Sequence, residues 1–191
     1  MQGSQSAAEN PVGARTVAAI DMGSNSVRMV IAEVLSDGRI EWLERLHRGV
    51  RLGQDTFRRG RLGNRSMSAA LAVLRDYRQM LDLYRVEKIR AVATSAVREA
   101  INCDTFLDRV FMATGLNVEV ISTSEESSLT VSAVRRAVPA DSVVNRGRAL
   151  IADVGGGSTL LIVLEEGEIA NSLSLRLGSV RLQEMFPTGQ E

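Results

Sequence analysis

Hydrophobic and polar positions along the chain alternate between two periods. Thr16–Ile20 and Val27–Ile31 are short apolar runs on either side of a glycine turn, and a third strand is expected over Ile40–Val50. From Ser66, a candidate cap, the apolar residues Met67, Ala70, Leu71, Leu74, Tyr77, Leu81 and Tyr84 recur at helical spacing. Lys88–Thr94 reads as a strand, Asp104–Thr114 as a helix stopped by Gly115, and Asn117–Ile121 as a short strand. A further helix is expected from Ser122, with Thr123 and Glu126 at capping-box spacing. After Pro139–Arg148, which reads as a linker, the strand–turn–strand pattern returns in Ile151–Leu164. The result is an α/β pattern: a mixed sheet flanked by helices, then the start of a second copy.

The two glycine turns carry the chemistry. Asp21, Gly23, Ser24, Asn25 and Ser26 follow one apolar run. Asp153, Gly155, Gly156, Gly157 and Ser158 follow another, 132 positions later. Each copy continues into an apolar strand and a second short turn, Ser36–Gly38 or Glu165–Gly167. A repeat of this length indicates domain duplication rather than a solenoid. Glycine lets backbone N–H groups approach one anion, and an adjacent carboxylate suits Mg²⁺, which prefers oxygen ligands and phosphate oxygens. Two facing hairpins could therefore hold a phosphate chain between them.

Composition adds mainly exclusions. The 191 residues carry no net formal charge and are 45% hydrophobic, so bulk charge argues for neither nucleic acid nor an anionic membrane as partner. Only Lys88 among the 23 basic residues is lysine, which weakens any inference from one arginine. Six arginines crowd residues 48–65, and this stretch is expected to be a solvated loop. One cysteine, Cys103, and one histidine, His47, supply neither a disulfide framework nor a zinc cluster. Cys103 reads as a buried or helix-entry residue, and His47 as an ordinary strand residue. Residues 1–15 lack a signal-peptide pattern and read as a loose tail, and no run is long enough for a membrane span. A cytoplasmic protein is expected.

Five segments then converge: Asp21–Ser26, Thr94–Ala100, Ile121–Glu126, Asp153–Thr159 and Leu177–Leu182. In order and spacing the chain resembles the exopolyphosphatase and guanosine pentaphosphate phosphohydrolase family, within the actin-like, sugar-kinase and Hsp70 superfamily. The resemblance covers about residues 16–186. It implies a ribonuclease-H-like (actin-like ATPase) fold and Mg²⁺-dependent hydrolysis of a terminal phosphoanhydride of polyphosphate or pppGpp. It further implies that Glu125 is the general base, Arg98 a phosphate contact and Asp153 a metal ligand. Gly23, Ser24, Asn25, Ser26, Gly156, Gly157 and Ser158 would cradle phosphates. The expected domains are a tail (1–15), a first ribonuclease-H-like domain (16–138), a linker (139–148) and an incomplete second such domain (149–191).

Two departures open alternatives. Where the family has glutamate after Gly-Gly-Gly-Ser-Thr, this chain has Leu160. Glu165 lies five residues on, roughly 16 Å along an extended strand, too far to substitute. The chain also ends where family members continue. A non-catalytic phosphate- or nucleotide-binding module is therefore the alternative to a hydrolase, with an actin-like kinase or ATPase as a third reading. Apolar strands left uncovered in residues 148–186 lead to the expectation of a homodimer or further association.

Overall fold

The structure, a computed structural model, describes residues 14–186. The tail expected over residues 1–15 lies outside them apart from Ala14 and Arg15, and Arg15 already opens strand β1 (Arg15–Met22). β2 (Ser26–Val34) and β3 (Ile40–Gly49) complete an antiparallel meander. Helices α1 (Leu52–Arg59) and α2 (Asn64–Leu83) follow, then β4 (Lys88–Ala93), α3 (Ser95–Arg98), α4 (Cys103–Thr114), β5 (Val118–Val120) and α5 (Thr123–Ala137). The second part comprises α6 (Val143–Arg146), β6 (Arg148–Val154), β7 (Thr159–Glu165), β8 (Glu168–Leu175) and α7 (Ser179–Met185).

The first sheet has the order β3-β2-β1-β4-β5, with β4 and β5 parallel to β1. This mixed sheet flanked by helices is the ribonuclease-H-like, actin-like arrangement anticipated from the sequence. Alternation places Ala18, Ile20 and Met22 on one face, where they join Met29 and Ile31 against the buried stripe of α2 and Phe106 and Val110 of α4. Tyr77 is fully buried there, and its hydroxyl donates to Val27 O at 3.0 Å, so the ring is buried without an orphaned polar atom.

The second sheet, β6-β7-β8, is an antiparallel meander. Its register repeats that of the first. Asp21 and Met22 pair with Arg28 and Val27; Asp153 and Val154 pair with Leu160 and Thr159. Even the register irregularity recurs, between Ile31 and Ala32 and between Val163 and Leu164. Helix α5 serves both sheets. Val131 packs with Leu160, Ile162 and Leu164 of the second, while Leu129 borders Ala19, Val30 and Val92 on the open face of the first.

Several local expectations are corrected. The arginine-rich stretch is not a loop throughout, because Leu52 and Thr56 lie one helical turn apart and are buried, giving α1 an inner face too short to show periodicity. Ser66 does not cap α2; Gly63 does, and the buried Ser66 hydroxyl donates to Asp55 and to Gly63 O. Thr123 is the first residue of α5, whose cap is Ser122, accepting from Glu125 N at 3.2 Å. The stretch expected as a linker contains α6, capped by Ser142. Gly115 closes α4 in the left-handed conformation as expected, Cys103 is that helix's first residue, and His47 is exposed on β3.

Candidate phosphate-binding cleft

The two turns fold alike and face one cavity. In the first, Gly23 N donates to Ser26 O at 3.0 Å; in the second, Gly155 N donates to Ser158 O at 2.9 Å. The turn carbonyls are engaged away from the cavity. Gly53 N takes Ser24 O, and Val50 N and Arg51 N take Asn25 O. In the second copy Val180 N and Arg181 N take Gly156 O, and the Arg181 guanidinium takes Gly157 O. Among the described residues, the N–H groups of Ser24, Asn25, Gly156 and Gly157 donate to no protein acceptor. Turns that tie up their carbonyls and leave their N–H groups free are suited to binding an anion.

The cavity, of about 190 Å³, is lined by all seven residues expected to cradle phosphate, by Asp153 and by Gly155. It also takes in Asp21, Arg28, Thr94, Ser95 and Glu126. Close packing of the turns needs small residues. A Cβ on Gly157 would lie 2.5 Å from Phe57 Cζ and 2.6 Å from Ser24 Oγ. The Ser24 and Ser95 hydroxyls are 3.0 Å apart and share a hydrogen bond, joining the first turn to the start of α3.

Two expected site residues are placed differently. Glu125, expected to be the general base, carries its carboxylate to Arg90 of β4 on the open face of the first sheet. Its neighbour Glu126 lines the cavity instead. One residue along a helix turns the side chain by roughly 100°, so α5 can present only one of the pair to the cleft. Arg98 does not line the cavity. Its Nη1 donates to Ile121 O at 2.8 Å, and both terminal nitrogens donate to Glu126 Oε2 at 3.2 Å.

The carboxylates are electrostatically loaded. Burial raises Glu126 above the ordinary glutamate value; Arg98 opposes the shift, and Asp153 and Asp21 add to it. Burial likewise raises Asp21, against Arg28 and with a further push from Asp153. Three acids thus share a cleft with an excess of negative charge, which a divalent cation would relieve. Among the described residues no three acidic, histidine or cysteine side chains converge closely enough to chelate a metal by themselves. That donor set fits Mg²⁺, which commonly keeps several waters and takes one or two carboxylates plus substrate phosphate oxygens. It does not fit a fully protein-coordinated ion.

The sequence profile of the Ppx/GppA phosphatase family matches residues 30–190. The chain belongs to the Ppx/GppA phosphatase family. It is 37% identical over 180 residues to exopolyphosphatase 2 of Mycobacterium tuberculosis, covering 88% of this chain and 54% of that protein. It is 34% identical over 169 residues to the guanosine-5'-triphosphate,3'-diphosphate pyrophosphatase of Vibrio vulnificus, covering 88% of this chain and 33% of that protein. The crystal structure of the Aquifex aeolicus Ppx/GppA family member superposes with a TM-score of 0.74 at 35% identity, over 91% of this chain and 55% of that one. The chain therefore spans about half the length of the mycobacterial relative and the Aquifex chain, and a third of the Vibrio protein.

Within this Ppx/GppA cleft, sequence reasoning missed Arg28, Ser95, Glu126 and Arg181 as parts of the site. Arg28 could have been found: Asp21 and Arg28 flank the first turn symmetrically, as cross-strand partners must. Arg181 lies in a segment already singled out, but its contact with Gly157 depends on how α7 packs.

Proposed function

We propose that this chain supplies the phosphate cradle and general base of an Mg²⁺-dependent hydrolase that removes the terminal phosphate of polyphosphate or pppGpp, acting in the cytoplasm. The observation that carries the reading is the pair of matched turns, their N–H groups free and their carbonyls engaged, facing one cavity with Glu126 at its edge. Phosphoanhydrides are already activated, so such an enzyme has to align a water, neutralise charge and position the chain.

In this reading Glu126, rather than Glu125, takes the proton from the attacking water. A carboxylate raised by burial is a better proton acceptor once ionised than an ordinary glutamate. Arg98 fixes its orientation through one shared oxygen, leaving Oε1 to face the water. The turn N–H groups and the Ser24, Ser26 and Ser158 hydroxyls bind the non-bridging oxygens of the phosphate being transferred. Asp153 and Asp21, which line the same cavity, would hold Mg²⁺, and the bound ion would supply neutralisation of phosphate charge. Arg28 offers a further cation at the cleft edge.

Leu160 supports a second reading, a phosphate-binding module without turnover. It is buried on the Asp153 side of the second sheet and provides no ligand where the family has a carboxylate. Phosphate release from polyphosphate and from pppGpp with Mg²⁺, compared for the parent and Glu126→Gln, separates the two. Release by the parent and loss in the variant supports the hydrolase. Background release by both, with polyphosphate still bound, leaves the binding module.

A further inference from the structure

The two turns are held by different means. In the first, the Asn25 carbonyl is engaged by two backbone N–H groups, those of Val50 and Arg51, each at 3.0 Å. Its counterpart 132 positions on, Gly157, has its carbonyl engaged by a side chain: Arg181 Nε donates at 2.6 Å. The same guanidinium donates through Nη2 to Glu99 Oε1 at 2.6 Å and lies 3.9 Å from the centroid of the Phe57 ring. Glu99 accepts a second bond, from Arg176 Nη2 at 2.8 Å. Arg181 is 6% exposed.

These contacts form a clamp across the joint between the two halves. Gly157, Arg176 and Arg181 belong to the second sheet and its flanking segments, whereas Phe57 lies on α1 and Glu99 directly follows α3. A peptide unit has one donor and one acceptor on opposite sides. Fixing the Gly157 carbonyl toward Arg181 therefore turns the N–H of Ser158 the other way. Releasing it would let the carbonyl swing and present a partial negative charge to an anion in the cavity.

We propose that Arg181 is a positioning residue for the second phosphate turn, holding the Gly157–Ser158 peptide with its N–H toward the cleft, with Glu99 and Phe57 orienting the guanidinium. The clamp's purpose rests on the reading of the cleft as a phosphate site; its existence as an orienting device does not. The first turn needs no such residue, because backbone donors do the same work there. In the second turn backbone donors hold the Gly156 carbonyl, and the Gly157–Ser158 peptide alone is left dependent on one side chain.

The test uses the whole chain, with ¹⁵N-labelled parent, Arg181→Lys, Arg181→Gln and Glu99→Gln. Amide hydrogen exchange and line widths are read at Gly155–Ser158 and at Ile162 and Leu164, and each protein is titrated with tripolyphosphate and Mg²⁺. The expected result in Arg181→Gln is exchange at least about ten-fold faster at Gly155, whose N–H is bonded to Ser158 O, and broadened lines at Gly156–Ser158, with Ile162 and Leu164 unchanged. Tripolyphosphate affinity should fall by a similar factor, since every 1.4 kcal/mol is ten-fold. Arg181→Lys, which keeps the charge but cannot bond to both Gly157 and Glu99 while stacked on Phe57, should fall between. Turn amides in Arg181→Gln and Glu99→Gln indistinguishable from the parent would overturn the clamp. So would uniform loss of protection through β7, which would make Arg181 merely structural; Glu99→Gln keeps the shape and decides the matter if Arg181→Gln does not fold. If the parent itself ignores tripolyphosphate, the phosphate reading and the purpose given to the clamp both fail, while the amide comparison still judges the clamp as a device.

Discussion

Glu126 Oε2 accepts from both terminal nitrogens of Arg98 at 3.2 Å, in a pair whose side chains are only about one-fifth exposed, 20% and 21%. Glu125, one residue earlier, is bonded instead to Arg90, whose side chain is 49% exposed. The two adjacent acids therefore stand in different environments, and their substitution should separate cleanly. Glu126→Gln is expected to lower phosphate release by about 10² to 10⁴. Glu125→Gln removes a largely solvent-screened surface pair and should leave release within a few-fold of the parent. Initial rates on polyphosphate with Mg²⁺ check both, and a larger loss in Glu125→Gln would move the base back to that residue.

The burial of Glu126 also has a signature in stability. Its folded-state pKa lies above the ordinary value of 4.5, so the folded protein binds the proton more tightly than the unfolded chain. Stability associated with this group is present in full below about pH 4.5 and is lost as pH rises through the folded pKa. Glu126→Gln removes that loss while leaving Arg98 an oxygen to bond. Its melting temperature, taken relative to the parent, should be near equal at pH 4 and higher at pH 7 (about those values), since every ten-fold gain in proton affinity on folding corresponds to about 1.4 kcal/mol. A variant that melts below the parent at neutral pH would show that the ion pair outweighs burial.

How much of this was legible depends on what fixes each feature. The glycine turns were readable because strand alternation and turn chemistry are local, so Asp21 and Asp153 fall at matching strand ends from sequence alone. The choice between Glu125 and Glu126 was not, because it follows from α5 lying between two sheets, with Val131 turned to one and Leu129 to the other. Helix α1 escaped notice because its eight residues bury only Leu52, Gly53 and Thr56. Arg181 escaped because a guanidinium bonding a carbonyl 24 positions away leaves no mark on sequence periodicity.

The outer face of the second sheet bears on association. Leu150, Val154 and Leu173 are 65%, 69% and 55% exposed, and Val163, the cross-strand partner of Leu150, also faces out. Contiguous apolar surface of this kind commonly marks an interface or an aggregation site. The 191-residue chain is expected to sediment as dimers or larger species at micromolar concentration, and Leu150→Lys with Leu173→Lys should shift it toward monomer. A parent that sediments as a clean monomer would count against a self-association role for this face.

Asp153 and Leu160 are cross-strand partners, so their side chains emerge on the same face of the second sheet, close enough to touch. Asp153 is exposed to the cleft, while Leu160 is 3% exposed among Val131, Ile162 and Leu164. Leu160→Glu should therefore have two opposed effects. Without Mg²⁺ it exchanges apolar packing for a buried carboxylate beside Asp153, and should cost about 3 kcal/mol. With Mg²⁺ and a phosphate chain bound, the new carboxylate gains a cation, so part of that loss should return and phosphate release should rise above the parent. Thermal melts with and without Mg²⁺ and tripolyphosphate, run beside release assays, test both halves. Destabilisation that Mg²⁺ does not relieve would mean that position 160 lies outside the metal's reach. If release also stays at background in Leu160→Glu, Glu126→Gln and the parent alike, the cleft binds phosphate without hydrolysing it.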